Sequence, residues 1–225
     1  MSDQSKAPDL IWRDQDVPVA TRFDDPYFSL TDGAAETSHV FLSGNNLPKR
    51  FRDGFHVAEL GFGTGLNLCA LLHLWRDAGV NGQLRFTSFE AFPLSPAQAT
   101  KALAAFPKLT GAANTVLQGF AHTPFHLETP ELFATVIEGD ARKTVPTWSG
   151  LADAWFLDGF SPAKNPELWE ANLMQAVFDK TSAGGMAATY SAAGHVRQKM
   201  KDAGFAVTRV PGFGRKRHMT QAIKP

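Results

Sequence analysis

Short apolar runs and longer amphipathic segments alternate along this chain. Apolar runs rich in β-branched and aromatic residues are typical of buried strands, and apolar residues recurring every three or four positions predict helices. The predicted strands are 55–60, 84–90, 132–137, 152–157, 184–190, 205–210 and 217–223. The predicted helices are 65–78, 95–106, 166–180 and 192–203.

This alternation predicts a mostly parallel sheet covered by helices on both faces. The last two strands are joined only by residues 211–214, a connection short enough for an antiparallel pair, whereas a parallel pair would need a crossover. We therefore predict an α/β fold with a reversed strand near the C-terminus. Residues 111–130 are poorly periodic and predict no element. Residues 1–54 are expected to pack on the core as an N-terminal extension of a domain formed by residues 55–225.

A glycine-rich turn follows the first strand of this pattern. Residues 59–67 read ELGFGTGLN, with three glycines at alternate positions before the predicted helix. Glycine lets a ligand approach the backbone closely, and a helix N-terminus after such a turn favours nucleotide binding. The spacing is neither that of a P-loop nor G-x-G-x-x-G. The stretch therefore predicts a nucleoside cofactor pocket of another kind.

The composition indicates one globular domain in a reducing compartment. The chain has 225 residues, of which 44% are hydrophobic and 20% charged, and the single cysteine, Cys69, excludes an intrachain disulfide. The first residues carry no apolar leader, and no apolar run is long enough to cross a bilayer. We expect a cytoplasmic protein with no membrane association. The paired histidines His122 and His126 flank Pro124, which argues against a helical metal site, so no metal is expected.

The formal net charge is zero, but the C-terminal region is basic. Two interpretations remain open for this region: a solvated surface, favoured for a helix carrying Arg197, or a phosphate-contacting patch. The patch would include Arg215, Lys216 and Arg217.

Four predicted strands end in an acidic residue, at the edge where open α/β sheets bind ligands. Glu90 is placed to accept hydrogen bonds from ribose hydroxyls, and Asp140 to accept one from an adenine amino group. Glu59 is placed to interact with a cationic amino-acid end of a cofactor, directly or through its neighbours. The alternative for each is a carboxylate that caps the following helix.

Asp158 ends its strand in a different setting. It opens a loop at 158–166 (DGFSPAKNP) that one glycine and two prolines hold in shape. A carboxylate there can accept hydrogen bonds from an amine and aim its lone pair, while Phe160 offers an apolar wall or a stacking face. A nearby anion favours the ammonium form, so Asp158 is assigned an orienting role rather than that of a strong base. The alternative is a rigid turn whose acid caps a helix.

Several motifs together resemble the tRNA 5-methylaminomethyl-2-thiouridine methyltransferase family. The similarity covers nearly the whole chain in the right order, and the loop at 158–166 is its most specific part. The other motifs are ELGFGTGLN at 59–67, SFEAFPL at 88–94, Val196-Arg197, GFGRKR at 212–217, Asp25-Pro26-Tyr27-Phe28 and Val40-Phe41-Leu42.

The resemblance implies a Rossmann-like class I fold and S-adenosylmethionine-dependent methylation of an aminomethyl group on the wobble uridine of tRNA, with Asp158 at the amine. In some members this domain is fused to an FAD-dependent oxidase. Neither oxidase activity nor FAD is expected here, so a separate oxidoreductase or modification enzyme would supply the aminomethyl uridine. The residues expected to bind the cofactor are Glu59, Gly61, Phe62, Gly63, Gly65, Asn67, Glu90, Asp140 and Asp158.

The chemistry is assigned to Asp158 and Phe160. The residues expected to bind the RNA substrate are Tyr27, Lys164, Arg197, Arg215, Lys216 and Arg217. Two other functions remain open. A methyltransferase for a small amine or another nucleobase would use the same glycine turn and Asp158. A non-catalytic RNA-binding module would keep the fold without binding the donor.

Overall fold

The computed structural model describes residues 8–13, 17–29 and 32–225. These residues form a three-stranded sheet and an eight-stranded sheet. The strands in chain order are β1 (Leu10–Arg13), β2 (Val17–Ala20), β3 (Asp25–Pro26), β4 (His56–Leu60), β5 (Leu84–Glu90), β6 (His126–Glu128), β7 (Leu132–Glu138), β8 (Ala152–Leu157), β9 (Thr181–Thr189), β10 (Ala206–Pro211) and β11 (His218–Ile223).

Seven α-helices lie between these strands in the described part of the chain. Helix α1 continues into a π-helical turn at Ser38–Leu42, and α6 is preceded by a 3₁₀ turn at Pro166–Trp169. The α-helices are α1 (Gly33–Thr37), α2 (Leu66–Asp77), α3 (Pro96–Leu103), α4 (Thr110–Gly119), α5 (Ala141–Thr147), α6 (Ala171–Asp179) and α7 (Gly194–Asp202).

The large sheet has the strand order β10-β11-β9-β8-β4-β5-β7-β6. Strands β7, β5, β4, β8 and β9 are parallel, which confirms the expected mostly parallel sheet. Strand β11 runs antiparallel to both β9 and β10, which confirms the reversed strand near the C-terminus. A second reversed strand, β6, pairs with β7 at the other edge and was not expected.

The central strand β4 lies where the chain changes direction across the sheet. From β4 the chain runs outward to β5 and β7, then returns to place β8 on the other side of β4. Open α/β sheets bind ligands outside the carboxyl ends of their strands at such a switch point. Glu59 of β4 pairs in register with Phe156 of β8. The turn after β4 and the loop after β8 therefore meet at one edge.

Both faces of β4 are buried, as a parallel sheet requires. Val57 packs in one hydrophobic cluster with α2, and Ala58 packs in a second cluster with α5, α6 and α7. Residues ahead of the domain boundary predicted at residue 54 belong to the first of these clusters, among them Val17, Phe28 and Phe41. The boundary itself stays a prediction, and residues 1–7, 14–16 and 30–31 lie outside the described residues.

Most helix predictions are confirmed, and the misses have local causes. Helix α3 begins with the expected capping box between Ser95 and Gln98. Helix α4 falls in the region predicted to form no element, because its buried positions are small residues such as Ala112 and Ala113. The long helix predicted at 166–180 is broken, since the backbone of Glu170 is extended before α6 begins. Helix α5, which contains a proline, was not predicted.

Candidate active site

A cavity of about 1010 Å³ opens at the carboxyl ends of β4, β5, β8 and β9. The turn after β4 forms its floor, and the loop after β8 forms one side. The segment 22–29, which contains β3, and helix α1 form another part of its lining, so the N-terminal extension contributes to the site. Its volume lies at the upper end of the range typical of small-molecule sites.

Two glycines in the turn after β4 are required by close contacts. Gly61 has φ +85°, and a Cβ there would lie 2.6 Å from the carbonyl oxygen of Asp158. Gly63 has φ +51°, and a Cβ there would lie 2.9 Å from the ring of Tyr27. A side chain at either position would therefore push apart the turn and the elements that surround the cavity.

A chain of buried hydrogen bonds runs behind the cavity and reaches Asp158. Ser88 donates to one carboxylate oxygen of Glu59 at 2.7 Å, and the Asn67 amide donates to the other at 2.9 Å. The same Asn67 nitrogen donates to Asp158 at 2.7 Å, while Thr37 donates to the Asn67 carbonyl at 2.8 Å. Asn67 thus has both N–H groups and its oxygen engaged, which fixes its orientation. We call these five residues the rear network.

The acids of the rear network have raised pKa values. Burial, with the nearby charge of Asp158, raises the pKa of Glu59 well above its usual range, and the hydrogen bonds from Asn67 and Ser88 oppose this. Burial raises the pKa of Asp158 to about 7, against the hydrogen bond from Asn67. Asp158 is only half-buried and lines the cavity, whereas Glu59 is fully buried behind it. Glu59 is therefore connected to Asp158 through Asn67, and its role at the cofactor stays a prediction.

Glu90 connects the end of β5 to the glycine turn. Its carboxylate accepts hydrogen bonds from the backbone N–H groups of Gly63 at 3.0 Å and Phe92 at 2.7 Å. Burial raises the pKa of Glu90, and these backbone donors oppose the shift. Each carboxylate oxygen has two acceptor positions, so Glu90 keeps capacity for ribose hydroxyls at the cavity wall.

Asp140 occupies the N-terminus of α5 and also lines the cavity. It accepts hydrogen bonds from the backbone and the guanidinium of Arg142, which hold the pKa of Asp140 below its usual range. The helix-capping alternative for Asp140 is thus present in the structure. Binding of an adenine amino group by its remaining acceptor positions stays a prediction.

The loop after β8 is held against the N-terminal segment. Asp25 accepts a hydrogen bond from the backbone N–H of Ser161 at 2.9 Å. Lys164 donates to the carbonyl of Asp24 and lies 3.6 Å from the carboxylates of Asp24 and Asp25. These contacts fix the loop that carries Phe160. They hold Lys164 beside Asp25, which lines the cavity, although Lys164 itself does not, and its role in substrate binding stays a prediction.

Phe160 is surrounded by aromatic rings at the cavity wall. It stacks on Phe23 with ring centroids 4.6 Å apart and meets the edge of Tyr27 at 5.4 Å. All three rings line the cavity. Flat ligands stack on such surfaces, and each base–aromatic contact contributes about 1–3 kcal/mol.

A cationic rim lies at the side of the cavity lined by residues 213–216. Lys216 pairs with Glu36 at 2.7 Å, and its ammonium lies 4.0 Å from the centroid of the Tyr190 ring. The Tyr190 hydroxyl donates to the carbonyl of Gly159 at 2.6 Å. Arg215 is exposed and also lines the cavity.

The structure brings most of the predicted site residues to this cavity. Those that line it are Tyr27, Gly61, Phe62, Gly63, Asn67, Glu90, Asp140, Asp158, Phe160, Arg215 and Lys216. Within this set, the Phe62 ring is mostly engaged in the core, where it packs against Phe120 and Phe125. The predicted residues outside the lining are Glu59, Gly65, Lys164, Arg197 and Arg217.

Gly65 and Arg197 lie outside the cavity lining, as does Arg217. Gly65 caps α2 with φ +79°, and Arg197 on α7 donates to the carbonyl of Ala192 at 3.3 Å. Their predicted binding roles, like that of Arg217, remain predictions.

Several residues of the site were not identified from the sequence, among them Ser88 and Phe23. Tyr190 follows the carboxyl end of β9, so the strand-end argument that selected the acids also applies to it. Glu36 and Thr37 lie on the short helix α1, and no local pattern marks them. Their role depends on contacts with Asn67 and Lys216, 30 and 180 residues away in the chain.

Comparisons with known proteins identify related sequences and structures. The family signature described as S-adenosyl-L-methionine-dependent methyltransferase matches residues 107–225. The tRNA 5-methylaminomethyl-2-thiouridine biosynthesis bifunctional protein MnmC of a Caulobacter species is 44% identical, covering 100% of this chain and 39% of that protein. The protein of the same name from Caulobacter vibrioides is 45% identical, covering 96% and 38%. The solved structure of MNMC2 from Aquifex aeolicus superposes with a TM-score of 0.80 at 27% identity, covering 97% of this chain and 71% of that one.

The chain spans about two fifths of the length of these two curated relatives. In the part of the chain that the structure describes, no helix has both the length and the apolar character needed to span a bilayer.

Proposed function

This chain belongs to the S-adenosyl-L-methionine-dependent methyltransferase family, and on that premise we propose that it methylates the 5-aminomethyl nitrogen of (2-thio)uridine at the tRNA wobble position. The product is 5-methylaminomethyl-2-thiouridine. The family signature and the structural similarity confirm the methyltransferase fold expected from the strand pattern and the resemblance. The chain is thus an enzyme that uses S-adenosylmethionine, and the non-catalytic alternative loses its support.

The residues of the cavity fit this methyl donor. Glu90, at the end of the strand after the glycine turn, offers acceptors for a ribose diol, and its hydrogen bond from the Gly63 N–H holds it beside that turn. Aromatic and carboxylate groups at Tyr27 and Asp158 suit a cationic ligand. When bound, the donor supplies a methyl group that a neutral amine nitrogen takes up while the electron pair of the broken carbon–sulfur bond stays on sulfur.

The position of Asp158 is the observation that carries the proposal. It lies at the switch point of the sheet, lines the cavity, and is held by a hydrogen bond from Asn67 to one carboxylate oxygen. A carboxylate fixed in this way accepts hydrogen bonds from the substrate amine and directs its lone pair. Alignment of reacting groups by fixed contacts contributes several kcal/mol, up to about 7–11 kcal/mol, to lowering a barrier.

Several features support an RNA substrate. Arg215 and Lys216 place positive charge at the rim, where phosphates can pair with them, and Phe160 provides a stacking surface. The matched relatives are named for 5-methylaminomethyl-2-thiouridine synthesis in tRNA. We propose that the enzyme works in the cytoplasm on tRNA whose aminomethyl group a separate modification enzyme supplies.

The test is a methyl-transfer assay with labelled S-adenosylmethionine. One reaction contains tRNA that carries 5-aminomethyl uridine at the wobble position, and a parallel reaction contains free primary amines without RNA. We expect label in the tRNA and none in the free amines. Label in the amines at a comparable rate would favour the small-amine alternative, and no label in either would contradict the proposed reaction.

A further inference from the structure

The ion pair between Lys216 and Glu36 lies in an unusual place for a surface salt bridge. Both residues line the cavity, and the Glu36 side chain is only 16% exposed, against 47% for Lys216. The Lys216 ammonium contacts two groups there: the Glu36 carboxylate at 2.7 Å and the face of the Tyr190 ring at 4.0 Å. A carboxylate beside an aromatic face is a binding site for a primary ammonium.

This ammonium site lies beside Asp158. The Tyr190 hydroxyl donates to the carbonyl of Gly159, the residue after Asp158, at 2.6 Å. The charges of Glu36 and Lys216 both act on Asp158. Glu36 also precedes Thr37, which holds Asn67 of the rear network. An ammonium bound between Glu36 and Tyr190 is therefore adjacent to the carboxylate assigned to orient the amine.

The aminomethyl group of the proposed substrate and the end of a lysine side chain are the same chemical group, a primary ammonium on a methylene carbon. We propose that Glu36 and the ring of Tyr190 form the subsite that recognises the substrate ammonium, and that Lys216 occupies this subsite until the substrate displaces it. This inference rests on the proposed function. It concerns binding and selection of substrate, and the bound ammonium must release a proton to water before its neutral nitrogen takes up the methyl group.

The exchange keeps every charge paired. When the substrate ammonium replaces Lys216, Glu36 exchanges one cation for another. The Lys216 side chain is then available to a backbone phosphate of the RNA, the role predicted for it from the sequence. A uridine without the amine has no cation to offer in return, so it leaves Lys216 in place. The pair thereby selects RNA that already carries the aminomethyl group.

The two partners of the ion pair should have opposite effects on selectivity. The measured quantity is the ratio of affinities for two anticodon stem-loops, one with 5-aminomethyl uridine and one with uridine at the wobble position. Glu36→Gln should lower this ratio about tenfold, since a charge-assisted hydrogen bond is lost. Lys216→Met should raise the ratio, because the internal competitor for the mostly buried Glu36 carboxylate is gone, and this gain exceeds the loss of one exposed phosphate contact in the aminomethyl complex. Binding of the uridine stem-loop, which leaves Lys216 on Glu36 in the wild type, should change little.

Tyr190 offers a matched pair of variants. Tyr190→Phe keeps the ring and should keep the ratio, although it loses the hydrogen bond to Gly159. Tyr190→Leu removes the aromatic face and should lower the ratio about threefold. If Tyr190→Leu leaves the affinity ratio unchanged, the Tyr190 ring does not contribute to recognition of the ammonium.

The outcomes separate this inference from the proposed function. A structural ion pair predicts that Glu36→Gln and Lys216→Met change the ratio in the same direction or leave it unchanged, and either result would overturn the inference. If Glu36→Gln fails to fold, Lys216→Met still tests the inference. The Lys216 side chain is exposed, so the variant should fold, and its affinity ratio must rise above that of the wild type. If the wild type methylates aminomethyl tRNA but binds both stem-loops equally, the inference fails and the proposed function stands. If it methylates neither tRNA, both fail.

Discussion

The rear network and the rim of the cavity are built from different kinds of contact. In the rear network, Glu59 is fully buried, and each of its carboxylate oxygens accepts one hydrogen bond from a neighbouring side chain. At the rim, Lys216 and Arg215 are exposed, and the main contact of Lys216 is an ion pair that another cation or anion can replace. From this difference we expect the rear network to hold Asp158 in one position and the rim to exchange partners when RNA binds.

The largest effect is expected from substitution of Asp158, the member of the rear network that is assigned to orient the amine. Asp158→Asn keeps the shape of the side chain and its contact with Asn67 but removes the charge. We expect turnover to fall about 10³-fold, since both the acceptor for the amine and its alignment are impaired. Single-turnover methylation of aminomethyl tRNA measures this, and calorimetry with the methyl donor serves as the control.

Donor binding within about threefold of wild type would assign the loss in Asp158→Asn to the transfer step. Turnover near the wild-type rate would show that the charge of Asp158 has no part in orienting the amine.

The pH dependence of the reaction should reflect the raised pKa of Asp158. A carboxyl with a pKa of about 7 is ionised above pH 7 and protonated below it. The ionised form accepts the amine hydrogen bonds, so kcat/KM should fall about tenfold for each pH unit below 7. Asp158→Asn should lose this dependence, apart from the part that arises from protonation of the amine itself. An identical acidic limb in both enzymes would assign the whole dependence to the amine.

The variant Asn67→Ala tests whether the buried hydrogen bonds of the rear network stabilise the fold and lower the pKa of Asp158. Asn67→Ala removes hydrogen bonds to two carboxyl groups and should lower the free energy of unfolding by about 2–3 kcal/mol, measured by urea denaturation. The acidic limb of kcat/KM should also move to higher pH, because the hydrogen bond from Asn67 lowers the pKa of Asp158. Ser38→Ala, which removes an exposed hydrogen bond next to Thr37, is the matched control.

A variant Asn67→Ala with wild-type stability and an unmoved pH profile would contradict the account of the rear network. An effect of the same size in Ser38→Ala would show that α1 as a whole, and not the network, is responsible.

The smallest effect is expected at the rim. Arg215→Ala should weaken tRNA binding a few-fold and reduce the slope of log affinity against log salt by about one, because one phosphate contact is lost. Filter binding at several salt concentrations measures both quantities. Lys108→Ala, which removes an exposed lysine outside the cavity lining, is the control. An unchanged slope in Arg215→Ala would indicate that Arg215 is a solvated surface residue that contacts no phosphate.

The sequence predicts the strand-end residues of the site better than the rim, because their positions follow from local patterns. Strand ends and glycine turns are local patterns, so Glu90, Asp140 and Asp158 could be placed at one edge of a parallel sheet before any contact was known. The strand-end argument also brings Glu59 to this edge, but it does not show that Glu59 is fully buried and reaches Asp158 through Asn67.

The rim depends on contacts between distant parts of the chain, which no local pattern reveals. Lys164 and Lys216 look alike in the sequence, as cations beside conspicuous motifs. In the structure Lys164 stays outside the cavity lining, 3.6 Å from the carboxylates of Asp24 and Asp25, whereas Lys216 lines the cavity and pairs with Glu36. Which lysine meets which acid is decided by how the N-terminal segment packs on the main sheet, and that packing involves residues more than 100 positions apart.

The identity of the methylated nucleoside tests the central claim most directly. Wild type and Asp158→Asn are incubated with S-adenosylmethionine and tRNA that carries 5-aminomethyl-2-thiouridine, and the digested nucleosides are analysed by mass spectrometry. We expect wild type to convert this nucleoside to 5-methylaminomethyl-2-thiouridine, with one methyl group on the nitrogen, and Asp158→Asn to leave nearly all of it unchanged. A methyl group on any other nucleoside would contradict the proposed reaction, and equal conversion by the two enzymes would contradict the role of Asp158.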